Sequence, residues 1–384
     1  MVSASIATLA VCARERLTHS RGRLRWLQAG AGRRIKSLDV DFGDARSILV
    51  GFGAGVVVLL ALYAVVGLEE VLSALSQADP TIFAAVCVVS VGWLFAWGMA
   101  LRTVLAVVAL KVSVWRAFLL LAGATFANNV TPFGQAGGEP FSALLVSRTT
   151  GTEYENGLAV VASVDTLNFV PSISFALLGV GYYATRFTVG DRMELAAAAL
   201  AALALAVPAV AYLGWRNRHR VSDLVVRVAV PAGRLVGRVV PALDPPGESQ
   251  VRDRIGGFFA ALERVAGDHH QLALAVSFSA LGWLLLSVSL WLSLGALGYW
   301  VPFAAALFIV PLGSVASVTP LPGGLGGVEA ALVLLIVPIT GVDAGAAAAA
   351  AVLHRGATYV LPILLGGSAT AMLEADNVHE SLSD

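Results

Sequence analysis

The chain has 384 residues, of which 58% are hydrophobic and 13% are charged, with 25 basic and 25 acidic side chains. Soluble domains carry about 25% charged residues, so this composition excludes an ordinary water-soluble protein. Residues 271–328 run for 58 positions without one Asp, Glu, Lys or Arg. Because backbone groups in lipid must be paired within their own segment, the composition predicts an all-α, polytopic transmembrane helical bundle.

Six apolar segments are long enough to cross a bilayer, since roughly 20 helical residues span about 30 Å of hydrocarbon. In chain order they are 47–68, 80–101, 157–183, 193–214, 271–299 and 344–372. Two further apolar segments, 116–148 and 302–340, are each interrupted in the middle. The predicted transmembrane domain is 47–372, flanked by a basic N-terminal arm (1–46) and a short tail (373–384), with a basic, amphipathic loop at 215–270.

The two interruptions are rich in proline and glycine. Proline lacks a backbone donor and glycine favours non-helical dihedrals, so we predict a helical hairpin with a hinge in each segment. The hinge residues are Pro132, Gly137 and Gly138 in the first segment, and Pro320, Pro322, Gly323, Gly324, Gly326 and Gly327 in the second.

Basic residues mark the cytoplasmic side of a membrane protein. They are concentrated in 1–46 and 215–270, whereas the 68–80 connection contains Glu69, Glu70 and Asp79 but no Lys or Arg. This distribution predicts a multi-pass protein of the cell membrane with both termini in the cytoplasm. Segment 116–148 is then a re-entrant hairpin from the cytoplasm, and segment 302–340 one from the outside.

The two broken segments resemble each other, which predicts an internal repeat. Glu139 is followed 26 residues later by Asp165, and Glu329 is followed 26 residues later by Arg355. The repeat units cover about 80–183 and 271–372 and enter the membrane from opposite sides. Many secondary transporters are built on such inverted repeats, although a chance match of so short a motif is the alternative.

Ionisable groups within apolar segments are candidate site residues because each costs roughly 2.5–3.5 kcal/mol at a helix centre. They are Glu139, Asp165, Glu329 and Arg355, with His354 beside the last. In one interpretation Asp165 and Arg355 pair only to neutralise each other. In the other, Arg355 binds an anionic headgroup and Asp165 or a glutamate balances its charge.

Each glutamate is predicted to open a half-helix after a Gly-Gly pair. There it either caps free N–H groups or contributes to an anion site. Asn128 and Asn129 can bond substrate or the backbone groups that the break leaves unpaired. The loop 215–270 is predicted to form amphipathic helices on an anionic leaflet or against the bundle itself.

The tract 128–140, followed by Arg148, resembles the first motif of the lysylphosphatidylglycerol synthase transmembrane-region family. The tract 320–329, with Arg355 downstream, resembles its second motif. The resemblance implies a flippase-like protein that moves an anionic phosphate-headgroup lipid, a phospholipid or a polyprenyl phosphate, between leaflets. It also implies that Glu139, Arg148, Asp165, Glu329 and Arg355 belong to the substrate site. The family usually has an arginine shortly before the aspartate, where this chain has 162–164 (Ala-Ser-Val), so its substrate contacts are expected to differ.

The sequence contains no Walker A loop, nucleophile elbow or His/Cys metal cluster. We therefore expect no cofactor or metal, and a lipid transporter rather than an enzyme. Synthesis of lysylphosphatidylglycerol, which in full-length synthases depends on an aminoacyl-transfer domain, is not expected either. The alternative is a membrane-embedded enzyme, or an accessory subunit, acting on lipid-linked phosphate substrates. Membrane lipids are the expected partners, with a lipid-modifying enzyme or glycosyltransferase as a further candidate; nucleic acid is not expected, and the oligomeric state is left open.

Overall fold

The computed structural model describes residues 45–131, 135–186, 212–214, 216–220, 222–227, 248–319 and 321–370. Regular secondary structure in these residues is entirely helical, as predicted. Several predicted features lie wholly or largely outside the described residues: the N-terminal arm, the span 193–214, the C-terminal tail, and the hinge residues Pro132 and Pro320. Residues 215, 221 and 228–247 of the loop 215–270 lie outside them as well.

Twelve helices are labelled here in chain order. The first half contains α1 (Ala45–Val66), α2 (Leu68–Ser76), α3 (Pro80–Val107), α4 (Val114–Val130), α5 (Gln135–Thr150) and α6 (Tyr154–Arg186). The second contains α7 (Glu248–Gly267), α8 (His269–Ala296), α9 (Phe303–Ser314), α10 (Gly327–Thr340), α11 (Ala344–Arg355) and α12 (361–370). Two 3₁₀ turns, Val315–Val318 and Pro322–Gly324, lie between α9 and α10, and a π turn, Gly356–Val360, joins α11 to α12.

Several described helical segments are long and apolar enough to cross a membrane, so the protein is a multi-pass membrane protein. They are Pro80–Val107, Tyr154–Tyr182, His269–Ala296, Pro322–Thr340 and Ala344–Thr370, and the pair α1–α2, bent by 89°, forms a further candidate. The segment Pro322–Thr340 is long enough to cross alone, whereas Phe303–Ser317 is shorter. Re-entrance of the two broken segments therefore stays a prediction.

Residues in the connections between helices cap the N-termini of the helices that follow. Asp79 accepts hydrogen bonds from the backbone N–H groups of Thr81 (2.7 Å) and Ile82, and Pro80 occupies the first turn of α3. Ser113, Asp268 and Asp343 cap α4, α8 and α11 in the same way. These side chains satisfy donors that the first helical turn leaves unpaired.

Helices α3 and α8, which open the two predicted repeat units, pack along each other at the centre of the bundle. A Cβ atom on Gly282 of α8 would lie 2.0 Å from the indole nitrogen of Trp97 on α3, so only glycine permits this approach. The order of neighbours is the same in both halves: α3–α4, α4–α5, α5–α6 and α3–α6 in the first, and α8–α9, α9–α10, α10–α11 and α8–α11 in the second. This order is what a repeat requires, and the inversion stays a prediction.

The first interruption is shorter than predicted. Helix α4 continues through Asn128 and Asn129, and α5 already contains Gly137 and Gly138, so the prediction of a hinge at these two glycines is wrong. A Cβ atom on Gly138 would lie 2.7 Å from the backbone of Asn128. This glycine therefore serves the close packing of two helices rather than a turn.

The second interruption is non-helical over more of its length. Gly323, Gly324 and Gly326 have φ angles of 55°, 67° and 82°, in the left-handed region that glycine tolerates. Gly327, by contrast, is the first residue of α10. The two broken segments thus differ in detail, although both consist of helix, break and helix.

Candidate functional site

A cavity of about 450 Å³ lies between the two halves of the bundle, with walls from α3, α4, α5, α6, α8, α9, α10 and α11. Its lining is mostly apolar and includes a few polar groups, as in most small-molecule sites. Five of the predicted site residues line it: Asn128, Asn129, Asp165, His354 and Arg355. Asp165 and Arg355, which are 190 positions apart in the sequence, therefore line the same cavity.

Arg355 is held in the cavity wall by two hydrogen bonds. Its Nε donates to Glu329 Oε1 at 2.9 Å, and its Nη2 donates to the carbonyl oxygen of Gly323, also at 2.9 Å. The side chains of Arg355 and Glu329 are 14% and 6% exposed, so this is a largely buried ion pair. The break beside Gly323 thereby supplies a carbonyl oxygen that an unbroken helix would have used itself.

The ion partner of Arg355 among the described residues is therefore Glu329 of its own repeat unit. The interpretation in which Asp165 pairs with Arg355 is wrong for this structure, although both line the same cavity. The physical reason is local: Glu329 opens α10 directly after the break that also provides Gly323. The guanidinium thus meets both groups within one compact segment.

Glu329 has a second role, as predicted. Its Oε2 accepts the backbone N–H of Gly326 at 2.6 Å at the start of α10. Glu139 does not open a helix, because α5 begins at Gln135 and Glu139 is its fifth residue; the predicted equivalence of the two glutamates is wrong on this point. Neither Glu139, which is half-buried, nor Arg148, which is exposed, lines the cavity.

Tyr359 connects the two broken segments to Arg355. Its hydroxyl lies 3.1 Å from the carbonyl oxygen of Asn129 and 3.3 Å from that of Pro322, and its ring lies 4.5 Å from the Arg355 guanidinium carbon. The π turn that follows Arg355 contains Tyr359, and π turns are frequent at functional sites. The ends of both broken segments therefore meet beside the charged group.

His354 is buried, 5% exposed, and bonded to the neighbouring helix. Its Nδ1 lies 2.9 Å from Ser289 Oγ on α8, and Ser289 Oγ is 3.5 Å from Ser90 Oγ on α3. This chain of polar groups crosses three helices, so it fixes the orientation of the imidazole ring at the cavity wall.

Sequence reasoning missed three tryptophans of the cavity wall, Trp93, Trp97 and Trp283. They form a cluster with ring centroids 5.4 Å and 5.7 Å apart. Trp283 donates its indole N–H to the carbonyl oxygen of Asn168 at 3.0 Å. The indole nitrogen of Trp93 is buried and has no hydrogen-bond partner among the described residues.

A signal for two of these tryptophans is present in the sequence. Gly-Trp-Leu occurs at 92–94 and again at 282–284, a separation of 190 residues. The pairs Glu139–Glu329 and Asp165–Arg355 have the same separation. An alignment of the two halves would therefore have identified Trp93 and Trp283 as equivalent residues at the centre of the bundle.

Comparison with known proteins places this architecture in a family. The family model described as the lysylphosphatidylglycerol synthase TM region matches residues 48–366. The chain belongs to this family. The match covers all the predicted substrate-binding residues and confirms the resemblance that the two motifs indicated.

Relatives in this family include archaeal membrane proteins. A UPF0104 membrane protein of Methanothermobacter thermautotrophicus is 28% identical over 331 residues, covering 84% of this chain and 92% of that protein. A second from the same organism is 25% identical, covering 86% and 96%. A UPF0104 membrane protein of Pyrococcus horikoshii is 22% identical, covering 84% and 95%. The similarity therefore extends over almost the whole length of each of these three relatives.

Proposed function

We propose that this family member is a flippase-like transporter that moves a lipid with an anionic phosphate headgroup between leaflets. The observation that carries the proposal is a largely buried arginine, Arg355, in the wall of a cavity between membrane-spanning helices. A charged side chain at such a place costs roughly 2.5–3.5 kcal/mol on insertion scales. Burial at that cost is typical of a site that binds a charged ligand.

The hydrogen bonding of Arg355 supports an anion as that ligand. A guanidinium carries five N–H donors, and the contacts to Glu329 and Gly323 use Nε and Nη2. Nη1 takes part in neither of these two hydrogen bonds. Arginine binds phosphate through parallel N–H donors, so a headgroup phosphate would bind Nη1 while Nε stays on Glu329.

Glu329 and Asp165 have different roles in this proposal. Glu329 balances the charge of Arg355 while the cavity is empty. Asp165 lines the same cavity, so its carboxylate repels a bound phosphate and limits how long the headgroup is retained. A transporter must release its substrate, and tight binding of the ground state would slow release.

The meeting of the two broken segments supports movement of the lipid rather than static binding. Tyr359 bonds to the end of α4 and to the turn before α10. We propose that these segments gate the cavity toward alternate leaflets, as inverted-repeat transporters do. The distribution of basic residues supports a cell-membrane protein with cytoplasmic termini.

The first experiment measures lipid translocation in proteoliposomes that contain fluorescent phosphatidylglycerol and receive an impermeant quencher. Wild type is expected to quench beyond the outer-leaflet half, and Arg355→Gln is expected to quench only that half. Arg264→Gln is the matched control, because Arg264 is exposed on α7 and bonds only to its own helix among the described residues. Its quenching should equal that of wild type.

Two results would contradict the proposal. One is wild-type quenching equal to that of empty liposomes across phospholipid and polyprenyl-phosphate probes. The other is a covalent change in the probe, which lipid mass analysis after the assay would detect. That second result would favour the membrane-embedded enzyme.

A further inference from the structure

The cavity has one exposed edge. Of the residues that line it, two are exposed: Phe169 on α6, at 50%, and Val315 in the turn after α9, at 57%. The other lining residues are buried or half-buried. The mouth of the cavity, defined here by Phe169 and Val315, therefore lies between α6 and the end of α9.

The same two helices are in close contact elsewhere along α6. A Cβ atom on Gly179 would lie 2.7 Å from the Cβ atom of Phe308 and 2.8 Å from the carbonyl oxygen of Ala304. Phe169 precedes Gly179 by ten residues, which is about 15 Å of helix. The helices are thus closed together at Gly179 and leave the opening at Phe169.

The mouth lies at the depth of the hydrocarbon, and the exposed side chains around it on α6 are apolar or are hydroxyls, Thr166 and Ser174, that donate to carbonyl oxygens of their own helix. Phe169 is near the centre of the candidate span Tyr154–Tyr182. Val170 beside it, and Leu178 nine residues further along α6, are 54% and 64% exposed. In a membrane-spanning helix such side chains contact lipid chains, so the mouth opens sideways into the hydrocarbon and not into water.

The chemistry of the wall changes sharply inside the mouth. Asp165, one helical turn before Phe169, lines the cavity, as does Ser172 on the other side. Arg355 and Asn129 line it as well. A charged interior and an apolar, lipid-facing mouth fit an amphiphile that has an anionic headgroup and a hydrocarbon tail.

We propose that Phe169, Val315 and Ile173, which lines the cavity one turn further along α6, form a lateral portal that binds the hydrocarbon chain of a lipid whose phosphate is bound at Arg355. This inference rests on the proposed function, because it takes the ligand of Arg355 to be a lipid. It adds a second binding site to the cavity and fixes the side of the bundle from which lipid enters.

The test uses the full chain in liposomes with phosphatidylglycerol that carries a photoreactive diazirine in its acyl chain. Adducts are mapped by mass spectrometry in wild type, Arg355→Lys and Arg355→Gln. Leu334 on α10 is the matched reference position, because it is 73% exposed and does not line the cavity. We expect adducts at Phe169 and Val315 to fall at least threefold in Arg355→Gln and less in Arg355→Lys, with no change at Leu334.

A second arm blocks the portal chemically. In a chain whose cysteines are replaced (Cys12→Ser, Cys87→Ser), Val315→Cys is reacted with a bulky maleimide in detergent solution before reconstitution, and Leu334→Cys serves as the control. Modification at position 315 is expected to abolish lipid translocation, and modification at position 334 to leave it unchanged.

The two experiments distinguish a failure of the portal proposal from a failure of the proposed transport function. Adducts at Phe169 and Val315 that depend on Arg355, without translocation in wild type, would support the portal and reject the transporter. Adducts at these positions that are no more frequent than at Leu334, or that are unaffected by Arg355→Gln, would overturn the portal even if translocation occurs.

Discussion

Replacement of Glu329 by glutamine tests the buried ion pair directly. Glu329→Gln preserves the shape of the side chain but removes the charge that balances Arg355. The carboxylate accepts from Arg355 Nε through one oxygen and from the Gly326 N–H through the other. A glutamine has a single carbonyl oxygen, so one of these donors loses its partner.

The expected loss of unfolding free energy in Glu329→Gln follows from the burial of the ion pair. Breaking a buried ion pair by removal of one partner costs about 3–5 kcal/mol, and exposed fractions of 14% and 6% justify this range. Arg355 keeps the carbonyl oxygen of Gly323 and the Tyr359 ring, and a desolvated cation–π contact contributes roughly 2 kcal/mol. We therefore expect a loss near the lower limit, about 3 kcal/mol.

The assay is the free energy of unfolding, measured by denaturant titration of the reconstituted protein in a double-mutant cycle. The double variant Glu329→Gln, Arg355→Gln removes both charges and should be more stable than Glu329→Gln alone. A coupling energy of about 0.5–3 kcal/mol is expected for contacting residues. If the two single changes add to within about 0.5 kcal/mol, the ion pair does not stabilise the site and the reasoning fails.

Three further predictions follow from the site and its surroundings. Asp165→Asn should increase phosphatidylglycerol affinity several-fold, because a like charge is removed from the cavity; weaker binding in a detergent-based titration would contradict the assigned role. Tyr359→Phe should lower the unfolding free energy by about 1 kcal/mol yet leave lipid affinity unchanged, since the ring over Arg355 is retained. The pKa of Asp343 lies below its ordinary value of 3.8, because the Ala346 N–H and the Tyr299 hydroxyl donate to its carboxylate. Its stabilisation is thus present above pH 3.8 and is lost as pH falls through the lowered pKa, so thermal unfolding of Asp343→Asn should lack this acid-dependent loss.

The location of the site could be predicted from the sequence because charge in apolar segments is costly and therefore conspicuous. Asp165, His354 and Arg355 were identified on this basis, and all three line the cavity. Their pairing could not be predicted, because spacing along the chain does not give distance in space. Glu329 contacts Arg355 because the break before α10 places the first turn of α10 beside α11.

Two other features were beyond the reach of sequence reasoning for physical reasons. Glycine serves both turns and close packing, so Gly138, which packs against Asn128, could not be distinguished from Gly323, which adopts a positive φ angle. Tryptophan occurs in cores and at membrane interfaces, so Trp93 carried no specific signal until the two halves were compared.

The close contact of Gly282 with Trp97 has a consequence for how the two halves can move. Protein interiors are packed as densely as organic crystals, and at this point α3 and α8 have no space in which to slide. The contact between α3 and α8 is therefore a fixed point of the bundle. Under the proposed function, we therefore expect the displacement that exposes Arg355 to one leaflet and then to the other to be concentrated in the broken segments rather than at this contact.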